Sequence, residues 1–318
     1  MSLTIAVVMC TYNGHGYLRD QLRSVLAQTR LPDTLVIVDD DSADDTPDII
    51  ESSLSSAPFQ VRFFRNANNM GVVHAFERAI SLADTDVLLL ADQDDVWHRT
   101  KVEKYGALFE ADDSVGAAFS DGEVVDENLR PLGYSLWECF QFTKRRRQLV
   151  SAGAAFAALL QKECVTGATL GFRRAHTRAV LPVPDGWMHD NWIALTAAAI
   201  TTVAILPEQL IQYRQHKHNL EGAPRWSLWQ NVKHACSNSK EVWPVVNKYQ
   251  ELARRLKSLE GVHESRLFEV DGKVRHLTRR ATLSPYAMRR SVQIAHELIA
   301  GRYSRYSNGY RSAIVDLL

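Results

Sequence analysis

The chain has 318 residues, 46% of them hydrophobic and 23% charged, which is the composition of a folded globular protein with one large or two smaller domains. Lysine plus arginine and aspartate plus glutamate number 37 each, so the formal net charge is zero and nothing favours a nucleic-acid-binding protein. Residues 250–318 nevertheless hold 13 lysines and arginines against 7 aspartates and glutamates, and we expect this basic segment to face an anionic surface.

Cysteine spacing and hydropathy bear on where the protein works. The four cysteines are far apart and form no CxxC pair, which is typical of a reducing cytoplasm: Cys10, Cys139, Cys164 and Cys236. The first residues lack the charged leader and long apolar core of a signal peptide. The longest apolar stretches, near 149–160 and 196–206, are shorter than the roughly 20 residues that cross a bilayer. The sequence therefore predicts a cytoplasmic protein that does not span a membrane.

Strands and helices alternate through the first 100 residues. Four apolar or β-branched runs are predicted strands: Leu3–Met9, Thr34–Val38, Val61–Arg65 and Val87–Leu90. Between them, helical spacing of apolar residues predicts three helices, near 17–28, 45–54 and 72–82. Because parallel strands with right-handed crossovers end at the same edge of a sheet, Thr11, Asp39 and Asp92 should meet there.

The run Val87–Leu90 leads directly into the acidic segment Asp92–Asp95, ADQDD in context. Ligands of open α/β sheets bind outside the carboxyl ends of the strands. Two carboxylates one residue apart can hold a divalent cation whose coordination an anionic diphosphate completes. The alternative is a solvated acidic loop. No glycine-rich phosphate loop follows any strand, so a nucleotide would have to be bound by other means.

The remainder of the chain is less regular. A helix is predicted at 100–109, and short strands at 115–120, 165–172, 203–206 and 209–213. The basic run Lys144–Arg147 precedes an alanine-rich helix at 152–160 and favours a solvated helix face, with phosphate contact as the alternative. A further helix opens near HDNW at Asp190. Pro224 and a change to helical pattern predict a domain boundary there.

Six motifs occur in a specific order: VVMCTYNG, VIVDDDS, NMGVVHAFERAI, ADQDDVW, HDNWIAL and QYRQHKHN. Through them, residues 3 to about 222 resemble the family 2 glycosyltransferases. The resemblance implies an α/β fold of GT-A type: a Rossmann-like mixed, mainly parallel sheet flanked by helices, with a C-terminal helical extension. It implies a catalytic domain at 1–224, with a nucleotide-sugar-binding half at about 1–121 and an acceptor-binding half at about 122–224, and a helical extension at 225–318.

The resemblance also implies which residues bind the nucleotide. Asp39 matches the family position that accepts a hydrogen bond from the pyrimidine base, and helix capping is a weaker alternative because Asp44 and Asp45 are better placed for it. Asp92 matches the first acid of the DxD motif, near the ribose and diphosphate. The full expected set is Thr11, Tyr12, Asn13, Asp39, Asn69, Gly71 and Asp92.

Metal and catalytic residues follow from the same motifs. Asp94 matches the DxD acid that binds Mg²⁺ or Mn²⁺, and His216, rather than its neighbour His218, matches the histidine that completes the metal site, where imidazole favours Mn²⁺. Asp190 matches the general base of inverting members, with helix N-capping as the alternative. For Asp95, helix capping and metal coordination remain equally open.

Three tryptophans complete the expected site. Trp97, Trp187 and Trp192 lie next to the motifs, and flat apolar rings suit the C–H faces of a sugar or acceptor, although buried core is the alternative.

Within the family, the chain looks most like bacterial rhamnosyltransferases of cell-surface polysaccharide assembly. This implies dTDP-rhamnose as donor, with UDP-sugars second, and a glycan or lipid-linked glycan as acceptor.

Two further expectations concern function and partners. A function of another class is a non-catalytic nucleotide-sugar or phospho-sensing module, because acidic triads such as Asp39–Asp41 also end strands in receiver-like domains. That reading leaves HDNW and YRQH without a role. The basic segment 225–318 is expected either to make peripheral membrane contact or to pack as ordinary helices, with a homodimer contact as a further option.

Overall fold

The computed structural model describes residues 3–217, 219, 222 and 242–317. The chain forms two compact units: the first comprises Met1–Lys144, Cys164–Val183 and Met188–Ala223, and the second comprises Arg145–Glu163, Pro184–Trp187 and Pro224–Leu318. The boundary predicted at residue 224 and the side chain of His218 lie outside the described residues. Residues 145–163 belong to the second unit, and the domain bounds expected from the sequence, 1–224 and 225–318, stay a prediction.

One sheet organises the first unit. Its nine described strands are β1 (Ile5–Thr11), β2 (Thr34–Asp39), β3 (Gln60–Arg65), β4 (Val87–Ala91), β5 (Val96–Trp97), β6 (Val115–Val125), β7 (Pro131–Ser135), β8 (Leu170–Arg173) and β9 (Thr202–Arg214). The spatial order is β3-β2-β1-β4-β8-β6-β9-β5, and β7 pairs with β6. Strands β3, β2, β1 and β4 are mutually parallel, whereas β8 runs antiparallel to both β4 and β6. The expected mixed, mainly parallel GT-A sheet is confirmed.

Helices cover this sheet because its central strands are apolar on both faces. They are α1 (Leu18–Leu26), α2 (Thr46–Leu54), α3 (Val72–Leu82), α4 (Lys101–Ala111), α5 (Leu136–Cys139), α8 (Thr177–Val180) and α9 (His189–Ile200). Strands β1 and β4 are almost entirely buried, and α1 contributes Leu18, Leu22 and Val25 to the same core. This packing fixes the carboxyl ends of β1, β2 and β4 next to one another.

Strand β9 replaces two predicted short strands. Its pairing with β6 is shifted so that Ser120 faces Leu206 whereas Asp121 faces Gln209, which leaves Pro207 and Glu208 as a bulge. Proline has no N–H to give to a neighbouring strand, which explains why the sequence pattern breaks there while the strand continues. The bulged strand then runs to Arg214, two residues before His216.

The second unit is helical, as expected for the C-terminal extension. Its described helices are α6 (Lys144–Ser151), α7 (Ala155–Gln161), α10 (Val242–Ser258), α11 (Glu264–Ala281), α12 (Ala287–Ile299), α13 (Arg302–Tyr306) and α14 (Tyr310–Leu317). Helices α10 and α11 bury Leu252, Leu256 and Val270. In the described part of the chain, no helix is both long and apolar enough to cross a membrane.

Candidate functional site

A cavity of about 430 Å³ opens at the carboxyl edge of β1, β2 and β4. Seven of the expected site residues line it: Thr11, Tyr12, Asn69, Gly71, Asp92, Asp94 and Asp190. Residues that the sequence analysis did not select also line it, among them Asp40, Gln93, Phe140, His189, Tyr213 and Asn219. The topology therefore brings nucleotide, metal and base candidates from four separate motifs to one cavity.

Asp39 lies beneath the loop that follows β1 rather than among the residues that line the cavity. Thr11 is its partner across the β1–β2 pair, and the Thr11 hydroxyl donates to Asp39 Oδ2 at 2.9 Å. The Ser42 backbone N–H donates to Asp39 Oδ1 at 3.0 Å, and the Ser42 hydroxyl donates to Oδ2 at 2.5 Å. The side chain of Asp39 is 0% exposed, so its carboxylate fixes the ends of both strands.

The loop at Tyr12 and Asn13 is held from two sides. Gln93 forms a reciprocal pair with the Tyr12 backbone: its amide oxygen accepts the Tyr12 N–H at 2.9 Å and its amide nitrogen donates to the Tyr12 oxygen at 3.0 Å. The Asn13 side-chain oxygen accepts the Ala43 N–H at 2.9 Å, and Asn13 has a positive φ of 47°. Asparagine tolerates this left-handed backbone better than most residues. Gln93 therefore couples the acidic segment to the nucleotide loop.

Asp40 is a cavity residue that the sequence analysis missed. Its carboxylate accepts the backbone N–H groups of Met70 at 2.9 Å and Gly71 at 2.8 Å. The Asn66 amide donates to the same carboxylate at 2.6 Å. Gly71 has a φ of 83°, where a side chain would be strained. Asp40 thus orients the loop that carries Asn69 and Gly71, a role for which the second acid of VDDDS was the only signal.

The acidic segment after β4 concentrates negative charge. Burial first, then Asp94 and Asp190, raise the pKa of Asp92 to about 7. Burial also raises the pKa of Asp95, whose Oδ1 accepts the Arg214 N–H at 3.0 Å while Oδ2 has no hydrogen-bond partner among the described residues. Helix α4 begins at Lys101 with Thr100 as its N-cap, so Asp95 does not cap that helix.

A buried lysine partly offsets this charge. The ammonium of Lys101 lies 3.7 Å from the centre of the Trp97 ring and donates to the Ala168 carbonyl. Burial lowers the pKa of Lys101 to about 7, although Asp95 and then Asp92 act in the opposite direction. The positive charge of Lys101 therefore offsets part of the negative charge of the acidic segment.

Asp94 and His216, the two expected metal ligands, are adjacent. The carboxylate Oδ2 of Asp94 lies 2.8 Å from Nε2 of His216, and the His216 ring stacks on Tyr17 with 4.3 Å between ring centres. Asn219 accepts the His216 backbone N–H at 2.5 Å and donates to the Arg214 carbonyl at 3.0 Å. The Arg214 guanidinium donates to the Asp94 carbonyl at 2.8 Å. These bonds hold the backbone at Asp94 and His216 in place.

This pair fits a divalent cation as two of its ligands. A carboxylate oxygen and an imidazole nitrogen suit Mn²⁺, and about 3 Å is the spacing of neighbouring ligands in a coordination sphere. Among the described residues, no group of three or more His, Cys, Asp or Glu side chains is placed to hold a metal ion. Further ligands would therefore have to come from a bound diphosphate or from water.

Asp190 lies in the first turn of α9, whose N-cap is Met188, so it is not the N-cap of that helix. Its Oδ2 accepts the Gly167 N–H at 3.0 Å, and its Oδ1 accepts the Asn191 N–H at 2.6 Å. The carboxylate is largely buried and lines the cavity. Gly167 belongs to a 3₁₀ turn, Gly167–Thr169, directly before β8. The turn therefore aligns the carboxylate from outside its own helix.

His189 precedes Asp190 and was also missed. Its ring stacks on Phe76 with 4.0 Å between ring centres, and neither ring nitrogen has a hydrogen-bond partner among the described residues. A Cβ at Gly167 would lie 2.9 Å from His189 Nε2, so glycine is needed for the close approach. Burial lowers the pKa of His189 to about 3, which keeps the ring neutral.

The three tryptophans expected to contact a sugar are buried, and none of them lines the cavity. Trp192 donates its indole N–H to the Val180 carbonyl at 2.7 Å within the core of the first unit. Trp97 packs beneath Lys101. Trp187 belongs to the second unit, where its N–H donates to the Lys248 carbonyl at 3.0 Å. All three tryptophans therefore match the alternative, which was a place in the buried aromatic core.

Comparison with known proteins agrees with the motifs. Residues 6–163 match the family described as Glycosyl transferase family 2. An uncharacterized glycosyltransferase of Nostoc sp. is 29% identical over 220 residues, which is 68% of this chain and 66% of that protein. The dTDP-rhamnosyl transferase RfbG of Shigella flexneri is 29% identical over 99 residues, which is 30% of this chain and 34% of that protein. This chain thus spans about two thirds of the length of the Nostoc protein.

Solved structures share the fold. A mannosyltransferase of Pyrobaculum calidifontis in complex with GDP-Man and Mn²⁺ superposes with a TM-score of 0.57 at 16% identity, covering 95% of this chain and 76% of that chain. Residues 1–349 of S. aureus TarS in complex with UDP-GlcNAc superpose with a TM-score of 0.61 at 14% identity, covering 99% of this chain and 90% of that chain. At such low identity the likeness concerns the fold alone.

Proposed function

Since the chain belongs to glycosyl transferase family 2, we propose that it transfers a sugar from a nucleoside diphosphate to an acceptor hydroxyl, with inversion at the anomeric carbon. One observation carries the proposal: the Asp190 carboxylate and the acids Asp92 and Asp94 line the same cavity, although they come from distant segments of the chain. The sensing-module alternative offers no use for a carboxylate in the position of Asp190.

The donor nucleotide is proposed to bind at the ends of β1 and β2. Thr11, Tyr12 and Asn13 frame the base and ribose. Asp39 is proposed to accept the ring N–H of a pyrimidine. Its carboxylate is fully buried, bonded to Thr11 and Ser42 and 3.5 Å from Arg65 Nε, so the loop above it must move for the base to reach it. The loop of Asn69 and Gly71, oriented by Asp40, borders the same cavity, and Asp92 faces the ribose and diphosphate.

Asp94 and His216 are the residues proposed to hold Mn²⁺ or Mg²⁺, with the donor diphosphate completing the coordination sphere. A bound cation would offset the negative charge that develops on the departing diphosphate. Imidazole as a ligand favours Mn²⁺. The chain's own contribution is to fix both ligands before the donor arrives, through the Tyr17 ring and the Asn219 amide.

Asp190 is proposed to act as the general base. The acceptor oxygen forms a bond to the anomeric carbon while the bond from that carbon to the diphosphate oxygen breaks, and the electron pair leaves with the diphosphate. The acceptor hydroxyl proton passes to the Asp190 carboxylate. The Gly167 N–H holds that carboxylate in place at 3.0 Å.

The donor is proposed to be dTDP-rhamnose, with UDP-sugars as second choice. Support comes from the motifs ADQDDVW, HDNWIAL and YRQH and from the similarity to the Shigella rhamnosyl transferase over 30% of this chain. The proposed acceptor is a glycan or lipid-linked glycan of a cell-surface polysaccharide. We propose a cytoplasmic location, which the wide spacing of the four cysteines favours.

The test has two steps. Purified nucleotide sugars are first screened, with Mn²⁺ present, for the one that raises the melting temperature, because a ligand that binds only the folded state stabilises it. Turnover of that donor is then measured in wild type, in Asp190→Asn and in Asp113→Asn, whose side chain is fully exposed. We expect wild type and Asp113→Asn to turn over the donor and Asp190→Asn to lose activity while keeping the thermal shift. Binding without turnover in all three would establish the sensing module instead.

A further inference from the structure

Two helices of the second unit expose apolar side chains. On α12 these are Met288, Val292 and Ile299, and on α14 they are Tyr310, Ile314 and Leu317. All six are between 42% and 89% exposed, although scattered single apolar residues are the norm on protein surfaces. We call these six residues the α12/α14 face.

The two exposed sets lie on the same side of the helix pair. Helices α12 and α14 pack together through Ile294 and Ala313. Helix α11 contacts α12 through His276 and Glu297, at 2.8 Å, and contacts α14 through Arg280 and Asp316, at 2.7 Å.

Helical geometry relates the exposed sets to these contacts. Successive residues of a helix are rotated by about 100° around its axis. The three apolar residues of α12 therefore lie roughly 140–180° around the helix from Glu297. The three apolar residues of α14 lie roughly 100–160° around their helix from Asp316. Both sets therefore point away from α11 and form one surface.

The charge around this surface is mainly positive. Residues 283–317 contain five arginines and two acidic residues. Both acids are already engaged, because Glu297 bonds to His276, Arg279 and Arg302, and Asp316 bonds to Arg280 and Tyr303. The side chains of Arg289 and Arg311, in contrast, are exposed on the two helices that carry the face.

We propose that the α12/α14 face docks on the surface of an anionic lipid bilayer. Apolar side chains flanked by exposed arginines match the two features of such a surface, its acyl boundary and its negative headgroups. A second copy of the chain fits less well, because a two-fold contact through this face would place the same arginines opposite one another without an available carboxylate.

The consequence for substrate choice rests on the proposed function, whereas lipid binding itself does not. A glycosyltransferase held at a bilayer surface is positioned to reach acceptors that are carried on lipids. Docking therefore favours the lipid-linked glycan over a glycan in solution. Vesicle binding is measured without any nucleotide sugar, so its failure is distinct from a failure of sugar transfer.

The test is co-flotation of the full chain with vesicles of phosphatidylcholine alone or of phosphatidylcholine mixed with phosphatidylglycerol. We expect binding to be about tenfold stronger to the anionic vesicles and to weaken as salt rises from about 0.05 M to about 0.5 M NaCl. Equal binding to both kinds of vesicle, or to neither, would overturn the proposal.

Matched variants locate the contact. The double variants Val292→Asn/Ile299→Asn and Arg289→Gln/Arg311→Gln should each reduce anionic vesicle binding by about tenfold. The controls Phe268→Asn and Arg254→Gln change an exposed aromatic on α11 and an exposed arginine on α10, and both should bind as wild type does. Melting temperatures show whether each variant is folded.

The oligomeric state supplies the competing outcome. Sedimentation should show that wild type and Val292→Asn/Ile299→Asn have the same mass in the absence of lipid. A wild-type dimer that this double variant converts to a monomer would instead identify a second copy as the occupant of the face and overturn the lipid proposal. Unchanged flotation of both double variants would also overturn it.

Discussion

Asp94 Oδ2 and His216 Nε2 lie 2.8 Å apart, although 122 positions separate the two residues in the chain. The contact joins the end of β4 to the segment that follows β9. Arg214 strengthens the same connection by donating to the Asp94 carbonyl at 2.8 Å and to Asp20 at 3.0 Å. A proposed metal site is therefore assembled from two segments whose positions are set independently of any metal.

His216→Ala should weaken Mn²⁺ binding by about 10–100-fold, because one of two proposed protein ligands is lost. Isothermal titration with Mn²⁺ in the presence of the donor nucleotide measures the affinity. His74→Ala, which removes an exposed histidine paired with Glu77, is the control and should leave the affinity unchanged. Equal Mn²⁺ affinity in wild type and His216→Ala would remove His216 from the metal site.

Gly167→Ala should lower kcat by about tenfold or more, because the added Cβ would lie 2.9 Å from His189 Nε2 and displace the N–H that holds Asp190. Donor binding should change less than kcat, since the added Cβ reaches Asp92 Oδ1 only at an ordinary contact distance of 3.8 Å. Steady-state kinetics and a donor titration separate the two effects. Gly16→Ala is the matched control, because a Cβ there meets nothing within 4 Å. A normal kcat in Gly167→Ala would show that this alignment is unimportant.

His189 should make folding stability depend on pH. Burial lowers its folded-state pKa to about 3, below the ordinary value of 6.5, so between these values the unfolded chain binds the extra proton. Stability is therefore fully present above pH 6.5 and is lost as pH falls, by up to about 1.4 kcal/mol per pH unit. Urea unfolding at several pH values measures this slope.

His189→Phe, which preserves stacking on Phe76, should have a shallower slope than wild type between pH 6.5 and pH 4. Part of the slope will remain, because burial also lowers the pKa of His276 to about 4. Identical slopes in wild type and variant would mean that His189 is accessible to protons in the folded state.

Lys101→Met should destabilise the fold by about 1–3 kcal/mol, because the buried Ala168 carbonyl loses its donor and the acids Asp95 and Asp92 lose a neighbouring cation. Urea denaturation measures the loss. Combining Lys101→Met with Asp95→Asn should restore part of the stability, since one of the uncompensated carboxylates is then neutral. A double variant less stable than Lys101→Met would contradict this electrostatic account.

Trp192→Ala should cost about 3–5 kcal/mol of stability, because the indole is fully buried and bonded to the Val180 carbonyl. If the ring serves only the core, Trp192→Phe should retain a normal KM for the acceptor. A large rise in acceptor KM in a stably folded Trp192→Phe would restore the expectation that Trp192 contacts the sugar.

Local patterns were enough to predict the parallel part of the fold. Strands β1 to β4 and their helices follow from apolar periodicity, and the acids after β2 and β4 then meet at one edge because parallel strands end together. Asp190, Asp94 and His216 were selected through motifs rather than geometry, and their roles remain predictions. Their proximity depends on β8 and β9, whose pairing partners are far away in sequence.

The sequence could not predict the role of residues whose position depends on contacts with distant parts of the chain. Asp40 and Asp39 are adjacent and chemically identical, and only the position of the Asn66–Gly71 loop decides which of them lines the cavity. The sequence could not decide the role of the tryptophans, because aromatic rings suit a sugar and a core equally well. His189 carried no signal apart from its place before Asp190, since its burial depends on Phe76 and Gly167.

The division of the chain into two units has a practical consequence for shortening it. The chain enters the second unit between Lys144 and Cys164, where Arg266 of α11 covers the Phe156 ring at 5.5 Å and Ser304 accepts a bond from Gln161. Truncation at residue 223 would strip those partners from α7 and leave Phe156, Leu159 and Leu160 open to solvent. A shortened enzyme that stays soluble would therefore need two changes. One is truncation after residue 223, and the other is replacement of residues 145–163 by a short linker.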